Sequence, residues 1–129
     1  MYLLDTHTFY WFITGDSKLP DSVKTAIEDS EEQFFISVAC FWEMSIKSSL
    51  NKLKLPASID TLMQDCSDYG ISILQIKASH LARLEELPWI HRDPFDRLMI
   101  CQAQEEDLIF ITADGNITKY DVKTMWYVE

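Results

Sequence analysis

The sequence predicts an α/β fold: a doubly wound sheet of about five parallel strands with helices on both faces. Five short apolar runs carry this prediction, at residues 2–4, 34–36, 71–74, 108–111 and 125–128. They are too short for helices, rich in β-branched or aromatic residues and without polar alternation, as is typical of strands buried on both faces. Segments of helical length separate the runs, and strands joined by crossover helices pair in parallel.

The elements follow in a regular order. Helices are expected over 6–14 and 21–31 before the second strand, over 38–50 and 58–68 before the third, and over 78–87 and 94–106 before the fourth. The last connection, 113–124, has little apolar periodicity and is expected to be mostly loop. Such sheets bind ligands beyond the carboxyl ends of their strands. The polar residues that follow each apolar run are therefore the candidates for function.

Length and composition limit the class of protein. The chain has 129 residues, of which 47% are hydrophobic; this suits one domain over 1–129 and excludes a disordered chain. The apolar runs are far shorter than the roughly 20 residues that span a bilayer, and no basic segment precedes the first run, so we expect neither a membrane span nor a secretory signal. Three cysteines without C-x-x-C spacing are expected to be reduced, as in a cytoplasmic protein. The net charge of −10 argues against a protein that coats DNA.

Two aspartates lie at the expected carboxyl edge of the sheet. Asp5 ends the first apolar run, and Asp114 follows the fourth by three residues. Helix caps and turns also favour aspartate at such positions. Taken singly, each of the two is explained at least as well by local structure as by function.

Glu43 lies within the helix expected over 38–50. An apolar stripe along that helix places Glu43 at its edge, where a carboxylate needs a partner. The stripe consists of Val38, Ala39, Trp42, Ile46, Leu50 and Leu53. A surface ion pair with Lys47, four residues on, is the simpler explanation.

Asp96 is the least expected of the acids. Pro94 suits the first position of the helix over 94–106, which makes Asp93 its N-cap and puts Asp96 in its first turn. Asp96 nevertheless shares a helix face with Met99 and Ile100, at i+3 and i+4. A carboxylate on an inward face is costly unless a cation meets it.

Together these acids indicate a metal site. They lie at strand ends or on the inward side of the adjoining helix, and no comparable set of Lys or Arg accompanies them; the four are Asp5, Glu43, Asp96 and Asp114. Mg²⁺ and Mn²⁺ prefer carboxylate oxygen and water. Zinc is disfavoured because the histidines have no paired ligand spacing. His91 is expected in a loop or against substrate, and His80 on a helix surface.

Five segments resemble the PIN-domain ribonucleases, and specifically the VapC-like toxins of bacterial toxin–antitoxin pairs. The similarity covers essentially the whole chain, and its most specific block is the fourth segment. The segments are LLDTH at 3–7, SVACFWEMSIK at 37–47, LKLP at 53–56, HRDPFDRLMI at 91–100 and ITAD at 111–114. The resemblance implies a PIN-like sheet, frequent homodimerisation, an acidic pocket for Mg²⁺ or Mn²⁺, RNA as substrate, and a small antitoxin protein encoded nearby.

Residue roles follow from the resemblance. Asp5, Asp96 and Asp114 are expected to bind metal, and Glu43 to be a further ligand or to orient the attacking water. Asp93 is an extra acid of this subgroup. Many relatives have another acid after the fourth one, where this chain has Gly115 and Asn116, so a second metal is in question. Thr6, Thr112 and Asn116 are expected to hold the carboxylates in place. Arg92, Arg97 and Lys47 are candidate phosphate contacts, although Arg97 equally suits a surface charge.

Two other functions stay open from the residues. An aspartyl-phosphate phosphohydrolase also has an aspartate at the end of its first strand, but it needs a second acid where this chain has His7. A catalytically weak RNA- or protein-binding module is the non-enzymatic alternative. Its partner surface would come from the aromatic residues at the start of the chain, Tyr2, Phe9, Tyr10, Trp11 and Phe12, which equally suit a core. Metal-dependent RNA cleavage distinguishes these functions.

Overall fold

The structure is a computed structural model that describes residues 1–127. A five-stranded parallel sheet lies at its centre, in the order β3-β2-β1-β4-β5. The strands are β1 (Tyr2–Leu4), β2 (Phe34–Ser37), β3 (Ile71–Leu74), β4 (Ile109–Ile111) and β5 (Thr124–Met125). The predicted sheet is confirmed. Its last strand begins one residue earlier than the apolar run suggested, and Val128 lies outside the described residues.

Six α-helices connect the strands. They are α1 (Thr6–Thr14), α2 (Asp21–Asp29), α3 (Val38–Ser49), α4 (Ile59–Asp65), α5 (Ala78–Glu86) and α6 (Pro94–Glu105). Four of them begin at a side chain that accepts a backbone N–H, namely Asp5, Ser37, Ser58 and Asp93. Short 3₁₀ turns follow α4 at Cys66–Tyr69 and interrupt the final connection at Ile117–Lys119.

The central strands are buried on both faces. Leu3 and Leu4 of β1 and Phe110 and Ile111 of β4 have no exposed surface. This explains the apolar runs without alternation, since helices cover both sides of a doubly wound sheet. Phe9, among the early aromatic residues, is fully buried, and the other four pack partly buried against the core.

The strand order sets the position of the site. The connections that leave β1 and β2 run in one direction across the sheet, and those that leave β3 and β4 run in the other. Right-handed crossovers therefore lie on opposite faces of the sheet. The direction changes between β1 and β4, which pair in parallel with Leu4 opposite Ile111. A crevice opens beyond the carboxyl ends of strands at such a switch point.

Helix α3 faces the core with a different side from the one its sequence suggested. Trp42, Ile46 and Leu50 of the expected stripe are 57%, 39% and 56% exposed. The buried side chains are Ala39, Cys40, Phe41, Glu43 and Met44. The expected orientation is therefore wrong. Helix α3 starts directly at the end of β2, so its first turn packs beyond the strand ends, where the Cys40 thiol contacts the Leu4 carbonyl and the Met99 sulfur.

This orientation predicts opposite outcomes for two similar truncations. Met44→Ala should lower the free energy of unfolding by about 2–4 kcal/mol, because Met44 is fully buried and its removal leaves a cavity. Ile46→Ala should cost less than about 1 kcal/mol because Ile46 is exposed. Urea unfolding followed by circular dichroism measures both values. The reverse ranking would restore the orientation that the sequence suggested.

Candidate active site

Asp5 lies directly after β1 and connects three elements. Its Oδ1 accepts the Thr8 backbone N–H at 2.7 Å and so caps α1. Its Oδ2 accepts a hydrogen bond from the Thr112 hydroxyl, which follows β4. Burial raises the pKa of the Asp5 carboxyl, and the hydrogen bonds from Thr112 and Thr8 oppose that rise. Asp5 is thus a buried carboxylate held in place from both sides of the switch point.

Asp114 joins the site through the same threonine. The Asp114 backbone N–H donates to Thr112 Oγ1 at 3.1 Å, and Asp114 Oδ1 accepts the Asn116 backbone N–H at 2.8 Å. Thr112 therefore donates to one acid while it accepts from the backbone of another. Asn116 is exposed and contributes its backbone rather than its side chain to these contacts.

Glu43 reaches the crevice from α3. It is only 4% exposed, and so is more buried than the edge position that the sequence suggested. Its Oε1 accepts from the Thr6 hydroxyl at 2.7 Å, and its Oε2 lies 2.7 Å from Lys47 Nζ. The pair with Lys47 that the sequence left as the simpler explanation is present. It does not make Glu43 a surface residue, because the carboxylate is buried beside β1.

Asp96 lies in the first turn of α6, and Asp93 caps the same helix. Asp93 Oδ1 accepts the backbone N–H groups of Phe95 and Asp96, both at 2.9 Å. Burial, assisted by negative charge on Asp93, Glu43 and Asp114, raises the pKa of Asp96 to about 6; a hydrogen bond from His91 opposes the rise. Because the charges of Glu43 and Asp114 both act on Asp96, acids from α3, α6 and the segment after β4 lie near one another.

His91 links Asp96 to a buried tyrosine. His91 Nε2 lies 3.2 Å from Asp96 Oδ2, and Nδ1 lies 2.9 Å from the Tyr120 hydroxyl oxygen. That oxygen already accepts the His91 backbone N–H and an Arg97 N–H, both at 3.1 Å. The tyrosine hydroxyl has two acceptors, His91 Nδ1 at 2.9 Å and the His91 carbonyl at 3.5 Å. The shorter contact directs its proton to Nδ1, and we assign the imidazole proton to Nε2, where it donates to Asp96.

Arg97 differs from its expected role. It is 2% exposed, and its guanidinium donates to the carbonyls of Leu87 and Pro88 and to Tyr120. These bonds replace the surface or phosphate contacts that the sequence suggested. Arg92, by contrast, is exposed, and within residues 1–127 no hydrogen bond or ion pair engages its guanidinium. Of the three candidate phosphate contacts, Arg92 is the one whose cation is open to solvent and unpaired.

The four acids lie around the carboxyl ends of the strands but, as they stand, do not form a set of metal ligands. Among residues 1–127, no three His, Cys, Asp or Glu side chains form a group that could hold a metal ion as they stand. Each carboxylate is instead bound to neighbouring groups: Asp5 to Thr112, Glu43 to Thr6 and Lys47, and Asp96 to His91. Lys47 supplies the full positive charge among these partners. Negative charge therefore exceeds positive charge in the pocket.

Sequence reasoning missed two residues that organise the site and misplaced a third. Thr8 had a sequence signal, since an N-cap aspartate bonds the backbone N–H two or three residues on. Tyr120 had none, because it lies in a segment without periodicity. His80 is fully buried rather than on a helix surface: its Nδ1 accepts the Lys77 backbone N–H at 3.0 Å at the start of α5.

Carboxylates beyond the strand ends of a doubly wound sheet lie where such sheets bind ligands, and their oxygens suit a hard divalent cation. A family model for the PIN domain matches residues 2–123. The chain therefore belongs to the PIN domain family, whose members are nucleases and generally use divalent metal ions. Comparison with curated protein sequences finds no match.

Solved structures share the fold. One is a chain of VapBC2 from Rickettsia felis bound to a DNA fragment from its promoter, with a TM-score of 0.70 and 17% identity over 96% of both chains. Another is a chain of FitAcB from Neisseria gonorrhoeae, with a TM-score of 0.65 and 18% identity over 97% of this chain and 96% of the other. A third, from FitAB bound to an IR36 DNA fragment, has a TM-score of 0.63 and 18% identity over 100% and 98%. These likenesses bear out the PIN-like fold. No helix within residues 1–127 is long and apolar enough to cross a membrane.

The raised pKa of Asp96 predicts a pH-dependent gain in stability for Asp96→Asn in metal-free buffer. The folded protein holds this proton up to about pH 6, whereas the ordinary value is 3.8. Wild-type stability therefore falls as the pH rises from about 4 to 6, and the ionised group costs at most about 3 kcal/mol above that range. Because the substitution also weakens the His91 contact, we expect a net gain of about 1–2 kcal/mol at pH 7.5.

Urea unfolding in EDTA at pH 7.5 and 5.0 measures this gain. It should fall by about 1.4 kcal/mol, to near zero, at the lower pH, where about half of the wild-type Asp96 cost is already relieved. Asp29→Asn is the control, because Asp29 is exposed at the end of α2. A loss of stability at both pH values would make Asp96 a stabilising structural residue.

Proposed function

We propose that this chain is a Mg²⁺- or Mn²⁺-dependent endoribonuclease and the toxin of a toxin–antitoxin pair. The observation that carries the proposal is the convergence of Asp5, Glu43, Asp96 and Asp114 on the switch-point crevice of a PIN-family chain. They come from four separate elements, so local structure alone does not account for their meeting. Because PIN-family members are nucleases, we assign these acids to phosphodiester cleavage.

The chemistry of the donor set fits a hard divalent cation. The candidate ligands are carboxylates, the donors that such a cation prefers. Burial, assisted by negative charge on the neighbouring acids, raises the pKa of Asp96 to about 6. We assign Asp5, Asp96 and Asp114 to binding the metal, with Asp93 as an accessory acid. When bound, such a cation attracts the phosphodiester and lowers the pKa of water.

The chain's own residues supply positioning. Glu43 accepts from Thr6 and is paired with the Lys47 cation, which a metal ion would have to displace; this favours the role of orienting the attacking water over that of a metal ligand. Thr6 and Thr112 hold the carboxylates of Glu43 and Asp5, as expected of groups behind a metal site. Arg92 is the proposed phosphate contact, since its cation is exposed and unpaired. Asn116 is assigned a role only through its backbone N–H, which donates to Asp114.

The proposed substrate is cellular RNA, and the proposed compartment is the cytoplasm. All three cysteines are free and buried, which suits a reducing environment. The resemblance of the 91–100 block to VapC-like toxins supports RNA over DNA, and the net charge of −10 argues against extended binding along a duplex.

Cleavage should depend on the metal and on Asp96. We expect the purified chain to cut single-stranded RNA with Mn²⁺ or Mg²⁺, to lose activity in EDTA and to recover it when the metal is restored. Asp96→Asn should lower the rate at least 100-fold because it removes a charge from the proposed ligand set. Gel analysis of RNA fragments measures the rate, and differential scanning calorimetry measures whether millimolar metal raises the melting temperature.

Two controls separate loss of chemistry from loss of fold. Asp29→Asn removes an exposed acid outside the crevice and should leave the rate unchanged. The melting temperature of Asp96→Asn in EDTA should be no lower than that of the wild type. A folded wild-type chain that binds metal but cuts no RNA would favour the binding module, and the absence of metal binding would remove the basis of the proposal.

The proposed partner is a small antitoxin that carries Arg or Lys into the acidic pocket. The solved complexes with the same fold are VapBC and FitAB assemblies, which supports a partner of this kind. An exposed apolar patch on α3, formed by Trp42, Ile46 and Leu50, lies beside Glu43, and the Trp42 ring packs edge-on against Phe95 at 5.0 Å. Apolar partner residues would dock on this patch while cationic ones pair with carboxylates.

A protein encoded next to this chain should therefore bind it and stop RNA cleavage. Raised salt should slow the association, because charge steers the encounter. Trp42→Ala should weaken binding about tenfold or more, whereas Leu81→Ala, an exposed apolar control on α5, should not. Surface plasmon resonance gives the rates, and sedimentation velocity tests the homodimer that the resemblance implies. Equal host growth with and without the neighbour, from a folded and active chain, would argue for a housekeeping nuclease.

A further inference from the structure

An exposed indole lies close to the proposed catalytic pocket. Trp89 is 78% exposed, the highest value among the large hydrophobic residues within 1–127. The Arg97 guanidinium lies over its ring at 3.8 Å from the centroid. Arg97 is buried beneath it, so the guanidinium covers one face of the ring. The exposed fraction shows that most of the remaining indole surface is open to solvent.

The backbone around Trp89 is fixed rather than free. The Leu87 and Pro88 carbonyls accept from Arg97 at 3.1 and 2.7 Å. The Ile90 N–H donates to the Pro88 carbonyl, and the His91 N–H donates to Tyr120, both at 3.1 Å. Hydrogen bonds on both sides of Trp89 thus hold the segment that presents it. A rigid aromatic surface loses little conformational entropy when a ligand stacks on it.

Two arginines without a carboxylate partner among the described residues adjoin the indole, Arg92 in the same segment and Arg97 beneath the ring. Arg97 and Arg92 take part in none of the ion pairs within residues 1–127, so neither charge is neutralised by a carboxylate there. Trp89, Ile90, His91 and Arg92 line one cavity of about 680 Å³. An open ring face and an unpaired cation on one surface suit a ligand with a flat aromatic group and a negative charge. A nucleotide has both.

The exposed face of Trp89 is also close to the acids of the proposed catalytic site. Trp89 and His91 are two residues apart, so their Cα atoms are within about 7 Å, and His91 contacts Asp96. Stacked bases rise about 3.4 Å per nucleotide along one strand. A base on Trp89 would thus lie within a few nucleotides of a phosphate held at Asp96.

We propose that Trp89 and Arg92 form a nucleotide subsite in which an unpaired base stacks on the open face of the indole and an adjacent phosphate contacts Arg92. The inference rests on the proposed nuclease function and extends it to the form of the substrate. A paired base cannot leave its neighbours to stack on Trp89 without losing its own stacking and pairing energy. The chain therefore selects single-stranded RNA or loops over duplex RNA.

Two RNA probes separate the base contact from the phosphate contact. One is fluorescein-labelled decauridylate, and the other is the same strand with abasic riboses. In EDTA and low salt, Trp89→Ala should bind the first probe about tenfold more weakly than the wild type and the second equally well. Trp89→Phe should retain most of the affinity. Arg92→Ala should weaken both probes alike and lower the dependence of log K on log salt by about one. Fluorescence anisotropy measures all four proteins.

Matched controls test whether the effects depend on the positions of Trp89 and Arg92. Tyr69→Ala removes an aromatic residue that is 40% exposed before β3, and Lys24→Ala removes an exposed cation of α2. Neither should change discrimination between the probes. Because Trp89→Ala uncovers Arg97, melting temperatures are compared first. The ratio of the two probes within each variant then reports stacking even if stability falls.

The outcomes distinguish this inference from the proposed function. Three results would overturn the subsite. The wild type could bind both probes equally, Trp89→Ala could weaken both probes equally, or the wild type could bind decauridylate and a ten-base-pair RNA duplex with equal affinity. A Trp89→Ala defect confined to binding of the neighbouring protein would also overturn it, since the indole would then be a protein contact. Wild-type RNA cleavage with unchanged binding by Trp89→Ala would leave the nuclease proposal standing. Trp89-dependent stacking without cleavage would support the subsite and remove the nuclease.

Discussion

The buried Asp5 carboxylate is the contact on which the rest of the site depends. One oxygen caps α1 through Thr8, and the other accepts from Thr112 beyond β4. The two strands at the switch point are thereby connected on their carboxyl side as well as through their backbone pairing. Thr112 then positions the Asp114 backbone. Asp5 thus connects the start of α1 with the segment that follows β4. Its carboxylate is buried, which is unfavourable for the charged form and raises its pKa.

The other acids are likewise held mainly by hydrogen bonds rather than by ion pairs. Thr6 holds Glu43 and His91 holds Asp96, while Lys47 supplies a cation to Glu43. Neutral donors orient carboxylates without cancelling their charge. The pocket therefore stays negative, and this charge adds to burial in raising the pKa of Asp96. This arrangement stores unfavourable repulsion in the folded state, and a bound cation or a basic partner segment would relieve it.

Arg97 organises the opposite side of the crevice. The sequence suggested a phosphate contact or a surface charge for Arg97, yet its guanidinium binds two carbonyls, Tyr120 and the face of Trp89. It orders the segment that carries His91 and, through Tyr120, helps to set the imidazole proton toward Asp96. Arg97 is thus a buried hydrogen-bond donor, and Arg92 is the arginine of this region that is exposed to solvent.

The sequence by itself determined the strands, the crossover helices and the identity of the acids, because burial on both faces removes polar alternation and because aspartate at strand ends is visible without coordinates. Tertiary structure decided which side of α3 faces inward: both sides are apolar, and only packing beyond the strand ends selects Cys40 and Met44 over Trp42 and Ile46. It also decided the roles of Tyr120 and Arg97, since their partners are 9 to 29 residues away and no local spacing encodes such contacts.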